Sequence, residues 1–215
     1  MNFSYFLGWS AFRLLFTVYL PARAYHPERV PLDGPVILAS NHASYLDPFL
    51  VGAMTRRPIH YLARKSLFRY PVVGRVLRSW NAVPVDRDSG SGAGLKTILD
   101  RLTAGGGIVL FPEGTRTADG TLQRARSGIG LTVIKSNAPV VPVRVFGTFE
   151  VFGRQHRFPR PGRVRVTFGP VMQFASLREE SRLCSKPRLK QIYQDVADAI
   201  LTEISRLAVG PDPRK

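Results

Sequence analysis

Cysteine is almost absent from this chain of 215 residues, which contains only Cys184. No disulfide can form within the chain, so covalent cross-links do not contribute to its fold. Hydrophobic residues make up 44% of the sequence, which is enough to build a core in one domain of this length. The sequence shows no internal repeat and no linker, and we expect a single globular domain.

Acidic residues are scarce. Fifteen Asp and Glu face 31 Lys and Arg, which gives a formal net charge of +16 and a pI of about 11.0. A surface of this kind favours anionic partners such as nucleic acid, anionic lipid or a phosphorylated substrate. The basic residues are spread along the chain rather than gathered in a tail, which indicates a folded basic face.

Several motifs are also missing. The four histidines are scattered and form no His/Cys cluster, so we expect no metal site. No GxxxxGK[ST] loop occurs, and "GSGAG" at residues 90–94 lacks the strand–helix context of a dinucleotide loop. A basic nucleic-acid-binding domain remains an alternative on charge alone, but no helix-turn-helix, zinc-finger or stacking motif supports it.

The first twenty residues, "MNFSYFLGWSAFRLLFTVYL", are the most apolar part of the chain. A secretory signal peptide is disfavoured because no Lys or Arg precedes the apolar stretch and Arg13 lies inside it. A spanning helix would be just long enough, but Arg13 and Thr17 weaken it. A helix lying in the membrane surface fits better, because Ser10, Arg13 and Thr17 share one polar stripe with Asn2.

A buried N-terminal helix is the remaining alternative for this segment. We expect residues 1–25 to form a membrane-attachment helix, interfacial or spanning, and residues 26–215 to form the globular domain. The expected location is the cytoplasmic face of the inner membrane.

Beyond Pro21 the chain alternates short apolar runs with helical patterns. This alternation predicts an α/β fold in which helices flank a largely parallel central sheet. The predicted strands are Val36–Ser40, Ile59–Leu62, Ala82–Val85, Ile108–Phe111, Val140–Phe146 and Val164–Phe168. The predicted helices include Pro48–Met54, a segment beginning near Leu95, Ile129–Ile134, and a long amphipathic helix from Leu189 to Leu207.

Two segments lie at the ends of predicted strands: "NHASYLDPF" (Asn41–Phe49) follows the first strand directly, and "FPEGTRT" (Phe111–Thr117) begins at the last residue of the strand Ile108–Phe111. Reactive groups in parallel α/β sheets gather beyond the carboxyl ends of the strands. We therefore expect these two segments to contribute to one functional site.

The first segment places His42 five residues before Asp47. An imidazole can take a proton from a substrate hydroxyl while a carboxylate holds its tautomer and stabilises the imidazolium. The alternative is structural, because Asp47 followed by Pro48 is also a good N-cap and N1 pair for a helix. The spacing by itself does not decide between the two.

The second segment places Glu113, Gly114, Thr115 and Arg116 at a strand end. Gly114 allows the backbone to approach a ligand closely. Arg116 can bind a phosphate with two hydrogen bonds, and Thr115 can donate another. A plain turn with a surface arginine is the alternative.

Four motifs occur in order: "NHASYLD", "VPVDRD" (Val83–Asp88), "FPEGTR" and "VVPVRVFGT" (Val140–Thr148). With this order and spacing the chain resembles the glycerolipid acyltransferase family, and most closely the bacterial 1-acylglycerol-3-phosphate acyltransferases. The resemblance covers roughly residues 30–170.

The resemblance implies an α/β fold, a membrane-attached N-terminus, and transfer of an acyl chain from acyl-CoA or acyl-carrier protein to the free hydroxyl of lysophosphatidate, with no cofactor. It makes His42 the general base and Asp47 its partner. The implied substrate-binding residues are Arg87, Glu113, Gly114, Thr115, Arg116 and Arg126, where Arg126 replaces a lysine usual in the family, and Pro142 would lie near the acyl site. Acyl transfer to another lyso-lipid, such as a lysophospholipid or a lyso-aminolipid, is the alternative activity.

Overall fold

The computed structural model describes residues 3–85 and 92–210. Within these residues seven strands form one sheet: β1 (Ala22–Tyr25), β2 (Val36–Ser40), β3 (Ile59–Arg64), β4 (Ala82–Val85), β5 (Gly107–Leu110), β6 (Val140–Phe146) and β7 (Val164–Phe168). The α-helices are α1 (Phe3–Val18), α2 (Asp47–Ala53), α3 (Pro71–Ser79), α4 (Ala93–Thr103), α5 (Ser127–Ser136), α6 (Thr148–Phe152), α7 (Ala175–Leu183) and α8 (Lys186–Arg206).

The strand order is β1-β7-β6-β2-β5-β3-β4. Every neighbouring pair is parallel except β6 and β7, which run antiparallel. The carboxyl ends of β6, β2, β5, β3 and β4 therefore meet at one edge of the sheet. The predicted α/β fold with a largely parallel sheet is confirmed.

The central strand β2 is buried on both faces, and all five of its residues are inaccessible to solvent. Successive side chains of a strand point to opposite faces of the sheet. Val36 and Leu38 accordingly pack into one core with α1 and α2, while Ile37 and Ala39 pack into a second core with α5 and α8. A strand covered on both sides needs an apolar run without polar alternation, and "VILAS" is such a run.

The second core is closed by the long amphipathic helix α8, which packs against α5. Its start is fixed by Ser185, whose hydroxyl accepts a hydrogen bond from the backbone N–H of Arg188 at 3.5 Å. The predicted C-terminal helix is thereby confirmed. Its buried face consists of Ile192, Val196, Ala197, Ile200 and Ile204.

The first core is covered by α1, which is 16 residues long. Its inner face is buried, and the Tyr5 hydroxyl accepts a hydrogen bond from the backbone N–H of Ile59 at 3.0 Å. The segment expected to be an N-terminal helix, residues 1–25, also contains β1, which pairs with β7 at the edge of the sheet. Across residues 3–85 and 92–210, no helix combines the length and the apolar character needed to cross a membrane.

Candidate active site

The site lies where β2 and β5 end side by side. Because these two strands are parallel neighbours, the segments that follow them meet directly. The backbone N–H of His42 donates to Glu113 Oε1 at 2.9 Å, and the backbone N–H of Thr117 donates to the carbonyl oxygen of His42 at 2.8 Å. The loop after β5 thus holds His42 from both sides of its backbone.

His42 and Asp47 form a hydrogen-bonded pair. His42 Nδ1 lies 2.9 Å from Asp47 Oδ2, with the carboxylate fully buried and 13% of the imidazole side chain exposed. Asp47 Oδ2 also accepts from the backbone N–H groups of Ala43 at 2.6 Å and Ser44 at 2.7 Å. Three donors on one oxygen compensate for the loss of water around a buried charge and fix the carboxylate against the imidazole.

The alternative in which Asp47 serves as the N-cap of its own helix is wrong. Helix α2 begins at Asp47 itself, its N-cap is Leu46, and no side-chain cap hydrogen bond forms there. The carboxylate turns back instead, toward the two amides that precede it. A short turn and the helix start therefore place a carboxylate next to His42 without using it as a cap.

The orientation of the His42 ring is fixed by a second contact. The ring of Phe111, the first residue after β5, stacks on it with centroids 3.8 Å apart and planes 15° from parallel. With Nδ1 directed at a carboxylate, the N–H of a neutral imidazole lies on Nδ1 and leaves a lone pair on Nε2. Within the described residues Nε2 has no hydrogen-bond partner, so it is free to accept a proton from a ligand.

Glu113 is buried, with 2% of its surface exposed. Its Oε1 accepts from the backbone N–H of His42, and its Oε2 accepts from the backbone N–H of Gln123 at 3.2 Å. Burial raises the pKa of the Glu113 carboxyl; the two N–H donors oppose that shift, and the negative charge of Asp47 adds to it. Both oxygens are engaged by backbone amides, so the contacts of Glu113 are those of a residue that positions the site.

The other side of the loop after β2 is tied to β6 and α6. The side chain of Asn41 bonds the backbone of Val145 twice, donating to its carbonyl oxygen at 3.1 Å and accepting from its N–H at 2.8 Å. The hydroxyl of Ser44 donates to the carbonyl oxygen of Phe152 at 2.8 Å. The turn that carries His42 is therefore fixed on both flanks.

Two arginines lie beside the "FPEGTR" turn. The guanidinium carbon of Arg116 sits 3.4 Å from the centroid of the Tyr45 ring, a cation–π contact. Its Nη1 is buried and has no hydrogen-bond partner in the described part of the chain. The Thr115 hydroxyl accepts from Arg154 Nη2 at 2.6 Å. Guanidinium groups close to a base suit an anionic substrate group.

A third arginine, Arg126, approaches the same turn. Gly114 has a φ of +70°, which disfavours any side chain there, and a Cβ on it would come within 3.0 Å of Arg126 Cδ. The backbone N–H of Arg126 also donates to the carbonyl oxygen of Pro112 at 2.9 Å. The glycine thus leaves room for the arginine stem against the turn.

The expected site residues that the structure describes fall in two places. His42, Asp47, Glu113, Gly114, Thr115, Arg116 and Arg126 come together at one edge of the sheet. Pro142 is buried within β6, opposite Ala39 of β2, rather than at that edge. Arg87 lies outside the described residues. Among the described residues, no group of three or more His, Cys, Asp or Glu could hold a metal ion.

Sequence reasoning missed three residues of the site. Phe111 and Tyr45 both lie inside the quoted motifs, and an aromatic next to a histidine or an arginine at a strand end is the signal that could have found them. Arg154 gave no such signal, because it lies 39 residues from Thr115 in sequence. Only the packing of α6 against the loop after β2 brings it near.

Comparison with known proteins defines the class to which this site belongs. The model of the Acyltransferase family matches residues 22–146, which is more than half of the chain and includes every motif quoted above up to Phe146. The chain belongs to this family and is an acyltransferase.

Two relatives and one solved structure carry names of one kind of acyltransferase. A 1-acyl-sn-glycerol-3-phosphate acyltransferase of Bacillus subtilis (strain 168) is 29% identical over 183 residues, which are 82% of this chain and 87% of that protein. The chloroplastic 1-acyl-sn-glycerol-3-phosphate acyltransferase BAT2 of Brassica napus is 31% identical over 55% of this chain, but the match spans only 35% of the plant protein. The crystal structure of the 1-acyl-sn-glycerophosphate (LPA) acyltransferase PlsC from Thermotoga maritima matches with a TM-score of 0.70 and 23% identity, covering 96% of this chain and 80% of that one, and it shares the fold.

Proposed function

We propose that this acyltransferase moves a fatty acyl chain from acyl-CoA or acyl-carrier protein to the free hydroxyl of lysophosphatidate, giving phosphatidate for phospholipid synthesis. The observation that carries the proposal is the 2.9 Å contact between His42 Nδ1 and the buried carboxylate of Asp47. The names of the Bacillus and Brassica relatives support the choice of acceptor.

In the proposed reaction, His42 Nε2 removes the proton from the acceptor hydroxyl as its oxygen attacks the thioester carbonyl carbon. An ester C–O bond forms, the C–S bond breaks, and the proton passes to the departing thiolate. Asp47 stabilises the imidazolium that exists between these two proton transfers. A thioester is already activated, so no covalent acyl-enzyme is needed, and the positioned base contributes about 10²–10⁴-fold.

The acceptor phosphate would bind to the arginines beside the "FPEGTR" turn. Arg116 has a buried Nη1 with no partner among the described residues, and Thr115 and Arg154 form a second donor pair nearby. Arg126 adds a third positive charge against Gly114. We include Arg87 in the phosphate site because the motif "VPVDRD" resembles that of the family. Glu113 supports the site through its hydrogen bonds to the backbone N–H groups of His42 and Gln123.

We also propose that α1 attaches the enzyme to the cytoplasmic face of the inner membrane. Its outer face carries exposed apolar side chains at i, i+4, i+11 and i+15, which form one stripe along the helix. This α1 outer stripe consists of Phe3, Leu7, Leu14 and Val18, between 61% and 80% exposed. The net charge of +16 supplies a second attractive term toward anionic lipid.

A panel of acceptors and donors tests the activity. Purified protein in detergent would be assayed with lysophosphatidate, lysophosphatidylglycerol and a lyso-aminolipid, each with acyl-CoA and with acyl-carrier protein. We expect the highest kcat/KM with lysophosphatidate. A higher kcat/KM with an acceptor that lacks the phosphate monoester would replace lysophosphatidate by that lyso-lipid.

A further inference from the structure

Helix α3 exposes apolar side chains that its own domain does not cover. Val72, Val73 and Val76 are 72%, 44% and 39% exposed. Tyr70, directly before the helix, is 64% exposed, and Leu67 in the preceding 3₁₀ turn is 41% exposed. Soluble surfaces rarely gather this many large apolar groups in one segment unless they bind a partner there. We call Val72, Val73 and Val76 the α3 apolar face.

The apolar side of α3 is in contact with α1 through Trp80. Val73, Val76 and Trp80 are spaced i, i+3 and i+7, so the indole lies on the same side of the helix axis as the two valines. The Trp80 ring packs edge-on against Phe12 of α1 with centroids 5.3 Å apart. A Cβ on Gly8 of α1 would overlap the indole, at 2.0 Å from Nε1. Trp80 therefore joins the apolar side of α3 to the helix that carries the α1 outer stripe.

The stretch of sequence that contains α3 carries charges of one sign. Between Pro48 and Val85 the chain has seven Lys and Arg and no Asp or Glu. Arg75 and Arg78 lie on the side of α3 away from Val73, and Arg78 also packs over the Phe68 ring at 5.5 Å. None of the ion pairs among the described residues involves these basic side chains. An apolar face flanked by unpaired arginines is the pattern of a helix that lies in an anionic lipid interface.

We propose that the segment from Leu67 to Val76 is a second membrane-contact element, with the α3 apolar face inserted among the acyl chains of an anionic bilayer and its arginines at the level of the lipid phosphates. This rests on the proposed membrane attachment through α1. Two separate contacts would fix the orientation of the domain on the membrane surface, whereas a single helix would allow the domain to tilt. A second copy of the chain fits the face less well, because each copy carries a net charge of +16 and two basic surfaces repel each other.

A fluorescent label placed on α3 tests this directly. Cys184 is the only cysteine, so a Cys184→Ser background accepts one new labelling site at a time. Val72→Cys probes α3, Leu14→Cys probes α1, and Leu183→Cys on α7 is the matched control, because Leu183 is an isolated exposed leucine, 93% accessible. Each variant would carry a nitrobenzoxadiazole group and be mixed with vesicles of phosphatidylglycerol and phosphatidylcholine.

We expect a blue shift of the label at positions 72 and 14, and none at position 183. Vesicles of phosphatidylcholine alone should give a weaker response at position 72. Val73→Ser with Val76→Ser should lower the vesicle partition coefficient about tenfold, because less apolar area is buried. These variants should keep their turnover on substrates dissolved in detergent, because the α3 apolar face is not part of the proposed catalytic machinery.

Several results would overturn the proposal. A blue shift at position 14 with none at position 72 would leave attachment to α1 alone. A shift at position 72 caused without vesicles, by added unlabelled protein or acyl-carrier protein, would assign the face to a protein partner. No shift at either position would reject both membrane contacts, while the detergent assay would still report on acyl transfer separately.

Discussion

The loop after β2 and the loop after β5 make different contributions to the same site. The first, residues 41–46, carries His42 and ends at Asp47. The second, residues 111–117, fixes the His42 backbone through Glu113 and Thr117 and brings Arg116 to the site. One loop thus supplies the proposed base, and the other supplies its frame and the positive charge. A base is effective only when its position is fixed, so the two loops depend on each other.

The hydrogen bonds of the two loops differ in range. Asp47 bonds residues three to five positions away, so the base and its partner are set by one short segment. Glu113 bonds His42 across 71 residues. The local pair can be found in the sequence by its spacing, whereas the frame exists only because β2 and β5 are neighbours in the sheet.

Of all the predicted changes, removal of the proposed base in the loop after β2 should lower activity the most. We expect His42→Ala to lower kcat by about 10²–10⁴-fold, since a positioned general base contributes that much. His26→Ala is the control, because His26 is an exposed histidine that follows β1, and the carboxyl end of β1 lies at the opposite end of the sheet from that of β2. Steady-state kinetics and circular dichroism would be measured for both. Full turnover by His42→Ala would reject the proposed mechanism.

Changing the carboxylate should have the next largest effect. The amide oxygen of Asn at position 47 can still accept from the backbone N–H groups of Ala43 and Ser44 and from His42 Nδ1, because all three contact the one oxygen Oδ2 of Asp47, but Asn has no negative charge to stabilise the imidazolium. We expect Asp47→Asn to lower kcat by about 10²-fold or more, with little change in KM. Kinetics across a range of pH would separate this from a loss of folded enzyme. A rise in KM at unchanged kcat would assign Asp47 to substrate binding instead.

Changes to the arginines beside the "FPEGTR" turn should raise KM rather than lower kcat. We expect Arg116→Gln to raise KM for lysophosphatidate about tenfold, because a charge-assisted hydrogen bond to the phosphate is lost, and Arg154→Gln to raise it less. Neither change should affect a monoacylglycerol acceptor, which has no phosphate. Arg182→Gln on α7 is the control. An equal KM effect on both acceptors would place Arg116 away from the phosphate.

The smallest change in activity is expected from Glu113→Gln, because Gln offers one acceptor oxygen where two backbone amides need one each. We expect kcat to fall a few-fold, with a clear signature in stability. The folded pKa of Glu113 is raised above its ordinary value of 4.5. The free energy of unfolding of the native chain, measured against this variant, should therefore be greatest below pH 4.5 and fall as pH rises through the raised pKa. Urea unfolding at several pH values would detect it, and a difference that grows with pH would contradict the raised pKa.

The parts of the fold that the sequence predicted are those with strong local patterns. β2, β4, β6 and β7 have the predicted bounds, and α8 is the predicted long amphipathic helix. β1 was missed because its sequence, "ARAY", has no apolar run and all four of its residues are only half-buried, and α3 was missed because its apolar side chains face outward instead of toward a core. Hydrophobic patterns in a sequence predict elements only where the core covers at least one side of the element.

The sequence by itself determined the chemistry of the site: an imidazole and a carboxylate five residues apart, and a glycine with an arginine in the turn after another strand. It also determined the excess of positive charge and the apolar N-terminus. Only the tertiary structure decided that Asp47 faces His42 rather than capping α2, that Glu113 holds the backbone of His42, and that Arg154 reaches Thr115. The physical reason is that spacing fixes contacts within one turn of chain, whereas contacts across 39 or 71 residues are set by the order in which strands and helices pack.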